Sequence, residues 1–472
     1  MKKILILLGF FCVWGVQAQT DIRNITFSGK VHDGRSGIAG VAVTDGINIT
    51  HTDAKGKYSL LSNATAEFVY ITLPSGYDIP LKDGIPYFYV PLTDKSKIKQ
   101  IINFELKKSN RDDYRHTMLV LADPQIYFEE ELPLMVDAAK DIIALSEQYE
   151  TPVYGLVCGD IVGNHPIHYA PLKKIFGDTR IPFFFSPGNH DVTWGVRSNE
   201  RSKEIYKQNF GPNYYSFKRG KVHYVVLDNS FLLGRSYVSY LTEQQLSWLQ
   251  QDLASVPVGS TVIVVLHIPT STRETPANES LGKVLQNRKH LHEMLQDYNA
   301  HIFSGHLHYH DNFVITDRLF EHVHAAICAE FWQMPLSSDG TPQGYGVFEI
   351  TGENVKWYYK SVGYDKNFQF RSYPVGTNHE KPTAVTVNVW NWDPLWKVNW
   401  YENGILMGEM TQYRGHDPYT ADHIKKHREK FRYNWISTGA TEHFFYAEPS
   451  EPDVKIKIEV IDRFGNKYIE EL

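Results

Sequence analysis

The chain has 472 residues, of which 42% are hydrophobic and 22% charged, and a formal net charge of −6. That length exceeds one ordinary core, and the composition is that of a globular rather than a disordered chain. A net negative charge supplies no general attraction to nucleic acid, so no nucleic-acid partner is expected.

Residues Met1 to Ala18 start with Lys2 and Lys3, run apolar from Ile4 to Val16 and end on the small-residue pattern Val16-Gln17-Ala18. They read as an export signal, which gives a periplasmic or secreted destination. Cys12 follows Phe11 and lacks the small residues a lipoprotein signal places before its cysteine. No other run approaches spanning length, so no transmembrane anchor is expected. Only Cys158 and Cys328 remain beyond the signal, too few for a disulfide framework.

From 21 to 108 the chain carries short runs such as Ile25-Thr26-Phe27, Val41-Ala42-Val43 and Tyr58-Ser59-Leu60, with Asp33-Gly34 and Asp45-Gly46 as turn signals. This spacing predicts a small N-terminal β-sandwich. From 112 to 364, strands alternate with helical stretches at Glu129 to Tyr149, Leu241 to Leu253 and Arg288 to Tyr298. The alternation predicts a layered α/β domain. From 380 to 472, period-two runs return at Val385 to Val389 and Val454 to Val460, and Glu402-Asn403-Gly404 reads as a hairpin turn. A second all-β domain is expected there, joined through Tyr373 to Pro382 and carrying a polar helical insertion over Asp422 to Tyr433. Trp390, Trp392, Trp396 and Trp400 read as core on one strand face; a glycan- or lipid-binding surface is the rival reading.

Five apolar, β-branched runs of the central segment each stop at a residue able to bind metal. Thr117 to Ala122 ends at Asp123, Val153 to Cys158 at Gly159-Asp160, and Ile181 to Phe185 leads to Gly188-Asn189-His190-Asp191. Thr261 to Leu266 stops at His267, and His301 to Phe303 runs into Gly305-His306-Leu307-His308. Buried parallel strands read as such runs, and open α/β sheets place their chemistry beyond the strands' carboxyl ends. Two divalent cations about 3.5–4 Å apart hydrolyse phosphate esters by neutralising phosphoryl oxygens and acidifying water. Asp160 is the natural bridge, with Asp123 and His308 completing one ion and Asn189, His267 and His306 the other. Arg273, after His267, reads as solvent-facing, with a phosphate contact as the alternative.

Together these motifs resemble, in order, those of the calcineurin-like metallophosphoesterase superfamily, and the flanking β-segments resemble the accessory domains of a three-domain bacterial subgroup. The resemblance implies a four-layer αββα fold, a dinuclear centre and hydrolysis of a phosphomonoester or phosphodiester by a metal-bridging hydroxide. It also implies that His190 contacts substrate and protonates the leaving oxygen, with Asp160 as the other catalytic residue. Two positions depart from the family pattern. Gln125 stands where Asp-x-His is usual, as a direct ligand or a hydrogen-bonding neighbour, leaving the ions' identity open among Mn, Zn, Fe, Mg and Ca. Gly163 stands where an acidic residue often orients the histidine, which leaves Asp191 as a candidate for that task. The rival functions are a catalytically weak metal-binding scaffold and a glycan- or lipid-binding module on the same fold.

Overall fold

The computed structural model describes residues 24–94, 96–275, 277–451 and 454–472; the expected export signal lies outside them. At the centre, two sheets pack face to face. The first has the order Phe183–Ser186, Val153–Cys158, Arg115–Leu121, Gly344–Thr351, Asn354–Ser361. Its first three strands are parallel, and the last two close it antiparallel.

Side-chain alternation along these strands creates the layers, because successive residues point to opposite faces. Met118 and Val120 join the core between the sheets, whereas Leu119 and Leu121 pack beneath the helix Leu132–Ser146 with Met135, Ala138 and Ile142. Phe184 likewise faces inward, and Phe183 and Phe185 meet Phe176 of the helix Tyr169–Asp178. The second sheet runs Tyr215–Arg219, Val222–Val226, Thr261–Val265, Asn299–Ser304, Leu319–Val323, Asp311–Thr316. Its outer face is covered by the helices Glu243–Leu253 and Arg288–Leu295 through Trp248, Leu249, Leu291 and Leu295. The result is the four-layer αββα arrangement.

The N-terminal segment forms two small sheets, one built on Asn24–His32 and Lys57–Asn63, the other on Ala42–Thr44, Phe68–Ile71 and Tyr89–Pro91. It shares its core with the second central sheet: the Phe88 and Tyr215 rings lie 4.8 Å apart, and Trp248 Nε1 donates to Thr44 Oγ1.

The C-terminal segment is a sandwich of two four-stranded sheets around Val387, Val389, Val398, Ile458 and Val460. Asn403 and Gly404 both have positive φ, 48° and 83°, as a two-residue hairpin turn between paired Glu402 and Ile405 requires. Three expectations are corrected here. Phe370–Tyr373 pairs with Val385–Val389, so the expected joint at 373–382 is a connection inside this sandwich. The inserted helix is Pro418–His427, several residues early, because the Asp417 side chain accepts from Thr420 N and Pro418 occupies the first turn. Trp390, Trp392 and Trp396 lie in the connection between strands, and only Trp400 is in one (Lys397–Glu402). Trp390 and Trp396 are buried, and Trp392 and Trp400 pack against the core, as the core reading requires.

Candidate metal centre

The motif strands divide between the sheets, three in the first and two in the second. Their carboxyl ends meet along one edge of the sandwich. Asp123, Gln125, Asp160 and Asn189 come from the first sheet, and His267, His306 and His308 come from the second.

The loops hold their donors under backbone strain. Asp123, Gln125, Asp160, His306 and His308 have φ of 50°, 42°, 48°, 71° and 54°, a left-handed region that side chains other than glycine seldom adopt. Such strain persists only where surrounding structure imposes it, and it collects at functional sites. The motif glycines serve close approach. A Cβ on Gly188 would lie 2.1 Å from Asp160 Oδ1, one on Gly305 2.4 Å from Asp123 Oδ2, and one on Gly159 2.6 Å from His267 Nδ1.

Around Asp160 the donors crowd together. His267 Nε2 is 3.1 Å from Asp160 Oδ2, 3.0 Å from Asn189 Oδ1 and 3.2 Å from His306 Nδ1. Asp160, His267 and His306 offer ligand atoms all within 4.8 Å of one another. The His267 Nδ1–H donates to the Cys158 carbonyl at 2.7 Å, so in neutral His267 the lone pair of Nε2 faces these other donors. Lone pairs aimed at a common point repel unless a cation lies between them. With ~2.1 Å bonds, two ligands of a tetrahedral ion are roughly 3.4 Å apart, close to the separations found here.

Beside this cluster lies a second pair. His308 Nδ1 is 3.0 Å from the Ala329 carbonyl, so its Nε2 points to Asp123 Oδ1 at 3.7 Å. Asp123 Oδ1 is buried without a hydrogen-bond partner, while Oδ2 accepts from His306 N. An orphaned carboxylate oxygen opposite an imidazole lone pair fits a hard or borderline cation.

Electrostatics agree with a charge deficit. Burial opposes ionisation of Asp160, but His267 and His190 hold its carboxyl well below the usual range. Burial pushes Asp123 up to about 8, despite His267 and with repulsion from Asp160 added. Burial works against protonating His267, yet Asp160 outweighs it and raises the imidazole to about 9. His306 and His308 are pushed down to about 3 and about 4, chiefly by burial. Two buried carboxylates thus compete for one protonated imidazole, and divalent cations would supply the missing positive charge.

Gln125 belongs to the cluster, with Nε2 3.4 Å from Asp160 Oδ2 and Oε1 directed to Cys328 Sγ at 3.9 Å. This is the geometry of a hydrogen-bonding neighbour; direct ligation would need the amide turned over. His190 donates its backbone N–H to Asp160 Oδ1 at 2.7 Å, and its Nε2 lies 4.0 Å from Asp160 Oδ2.

Asp191 does not orient His190. Its carboxylate accepts from Gly188 N, Ile161 N and the Tyr169 hydroxyl, tying the second and third motif loops together. The orienting contact comes from Asn164, whose Oδ1 is 3.0 Å from His190 Nδ1, with the Tyr127 hydroxyl at 3.3 Å. Sequence reasoning missed both residues. Asn164 follows Gly163 directly, and the absence of a carboxylate at Gly163 was the available signal; a Cβ on Gly163 would strike the Tyr127 ring at 2.3 Å. Arg273 neither holds phosphate nor faces solvent: it is buried between Asp311 and Asp339 with its guanidinium 4.0 Å from the Tyr309 ring centre.

Comparison with known proteins places this site in a lineage. Residues 116–310 match the family described as Calcineurin-like phosphoesterase, residues 25–109 the N terminal of Calcineurin-like phosphoesterase, and residues 321–468 its C terminal. Serine/threonine-protein phosphatase CPPED1 of Danio rerio is 30% identical over 196 residues, covering 38% of this chain and 61% of the relative. The Mus musculus protein of that name is 29% identical over 179 residues, covering 35% of this chain and 56% of the relative. The chain therefore spans little more than half the length of these relatives. Among solved structures, a dimetal phosphatase from Danio rerio aligns at TM-score 0.37 and 13% identity, covering 52% of this chain and 96% of that one. With matches that together run from the first β-domain to the last, the chain belongs to the calcineurin-like phosphoesterase family, in the form that carries both N- and C-terminal accessory domains.

Proposed function

We propose that the protein is an exported, dinuclear-metal phosphoesterase that hydrolyses a phosphomonoester or phosphodiester. The observation that carries this reading is the convergence of Asn189, His267 and His306 on Asp160, beside the orphaned Asp123 oxygen that faces His308. Asp160 would bridge two ions, with Asp123 and His308 on one side and Asn189, His267 and His306 on the other. When bound, such ions neutralise phosphoryl oxygens and lower the pKa of an attacking water.

The chain's own residues supply position and a proton. Two sheets fix the donors from opposite sides, so the site is assembled before substrate arrives. Asn164 accepts from His190 Nδ1–H, which turns Nε2 toward the space beside Asp160. In its doubly protonated form, with Nδ1–H held by Asn164, His190 would donate the Nε2 proton to the departing ester oxygen and return to the neutral ring, a contribution typically worth about 10²–10⁴ in rate. Export is supported by the signal-like sequence of Met1 to Ala18. Among the described residues, no helix is long and apolar enough to cross a membrane.

The test is hydrolysis of p-nitrophenyl phosphate and its bis-ester by protein loaded separately with Mn, Zn, Fe, Mg and Ca, with bound metal counted. Turnover with two equivalents of metal supports the reading. A single tightly held ion and no turnover on a broad phosphoester panel would replace it with a metal-binding scaffold.

A further inference from the structure

We propose that the C-terminal domain completes the substrate pocket. Phe331, Tyr127 and Trp435 form an aromatic wall beside the metal centre that receives a planar aromatic ester group of the phosphoester. This rests on the phosphoesterase reading above and names the substrate class that the site favours.

The first observation is strain without a metal donor to account for it. Ala329, Phe331 and Trp332 all have left-handed φ, 47°, 52° and 60°, within four positions. For bulky residues this conformation is a genuine outlier. Neighbours hold it: the Ala329 carbonyl accepts from His308 Nδ1, and Trp332 Nε1 donates to the Pro124 carbonyl at 2.9 Å. The consequence is that the Phe331 ring lies over His308, with centroids 4.6 Å apart and planes 25° from parallel.

The second observation is that Phe331 links rings on both sides of the centre. Tyr127 lies 6.3 Å from it, and the Tyr127 ring is 5.8 Å from that of His190. The wall thus runs from a residue set for one metal to the residue set for proton donation.

The third observation concerns Trp435, which the C-terminal domain contributes. It is 55% exposed, an unusual state for an indole, yet its position is fixed. It meets Phe331 edge-on at 5.0 Å and stacks on Tyr433 at 5.3 Å. Next to it, Ile436 is buried with Met334 and Leu336, and Arg432 N donates to Gln333 Oε1. An exposed indole on a pinned segment, beside a strained ring over a metal-site histidine, is a surface prepared for a flat partner. Arg432, the cation nearest to Trp435 in sequence, lies over the Phe128 ring at 3.6 Å and 3.7 Å from Glu131, so it is committed elsewhere. The wall therefore suits an aryl or nucleoside ester better than a second phosphate.

Titration calorimetry on the full metal-loaded chain tests this with two non-hydrolysable probes of like charge, phenylphosphonate and methylphosphonate. The unmodified protein should bind phenylphosphonate about tenfold more tightly, the worth of one aromatic contact. Trp435→Ala and Phe331→Leu should each bring that ratio toward one, with metal content checked alongside. Equal binding of the two probes by the unmodified protein, or an unchanged ratio in both variants, overturns the wall. Binding of neither probe by metal-loaded protein sinks the phosphoesterase reading and the wall with it. A 5′-deoxythymidine 5′-phosphonate, likewise joined through a P–C bond and of like charge, that binds more tightly than phenylphosphonate assigns the aromatic group to a nucleoside; the reverse order assigns it to a simple aryl ester.

Discussion

Oδ1 of Asn164 lies 3.0 Å from His190 Nδ1, and the same oxygen accepts from Trp194 Nε1 at 2.9 Å. An amide oxygen held by the indole N–H is a fixed acceptor. It favours a proton on Nδ1 of His190 and leaves Nε2 directed to the space beside Asp160, the orientation the proposed proton donor would need. The Tyr127 ring fills the space over Gly163, and the neighbouring residue, Asn164, makes the orienting contact.

Replacing Asn164 by leucine should therefore lower kcat by about 10²-fold, within the range that a positioned proton donor contributes, while KM moves little. A structural role alone would instead lower thermal stability and leave kcat of the folded fraction intact. Steady-state kinetics beside a melting curve separates the two.

Metal binding is predicted to follow the donor geometry. Asp160→Asn should abolish turnover and remove at least one equivalent of metal, since the bridging charge is lost. Gln125→His should tighten the ion assigned to Asp123 and His308 by about tenfold or more, because imidazole is the better ligand for zinc or iron. The backbone permits it: φ at Gln125 is 42°, and histidine is one of the few residues enriched in the left-handed region. Metal titration against a competing chelator reads both. An unaltered affinity in Gln125→His would show that this side chain stands clear of the ions.

The legible part of this protein was legible for a physical reason. Parallel strands covered on both faces are continuous apolar runs, so Asp123, Asp160, Asn189, His267 and His306 stood out where those runs stop. Periodicity does not reveal which sheet a strand joins, so the division of the site between two sheets emerged only in three dimensions. Arg273 read as a loop arginine because its partners Asp311 and Asp339 lie far along the chain. Asn164 escaped because an asparagine after a glycine is ordinarily a turn residue. The helix Pro418–His427 starts ahead of the polar run over Asp422 to Tyr433 because Asp417 caps it at Thr420 N, a signal that lies outside that run.

A group of buried histidines, apart from the metal site, predicts the acid limit of the fold. Burial pushes His301 and His324 down to about 3 and holds His322 well below its ordinary value. His322 Nδ1 is 2.7 Å from Asn312 Oδ1, and its Nε2 is 3.0 Å from His301 Nδ1, a chain that needs both rings neutral. Folded-state values are depressed, so above about 6.5 these rings cost nothing. As pH falls below that, the unfolded chain takes up protons that the folded one refuses, and stability drops until about 3. Denaturant unfolding at pH 7 and pH 5 should show the loss, these three rings contributing about one proton each to the uptake on unfolding at pH 5. His322→Gln should reduce that uptake by about one proton; an unchanged uptake would mean that His322 is not held neutral.

Arg273 is a position where one substitution should cost stability. Its Nε meets Asp311 and its Nη2 meets Asp339 at 2.8 Å, all three side chains being largely buried. Asp311 also receives His443 of the C-terminal domain at 2.8 Å, and Arg273 and His443 keep its carboxyl well below the usual range although burial opposes ionisation. Arg273→Met would leave the buried Asp311 and Asp339 carboxylates without the cation they share. Removing one member of such a buried group typically costs about 3–5 kcal/mol, more than the pairing itself contributes. The melting temperature should fall by several degrees, while a triple change that also makes Asp311 and Asp339 into asparagine should recover much of the loss. If the single and triple variants melt alike, uncompensated charge is not the cause, and the cation's packing on Tyr309 carries the stability instead.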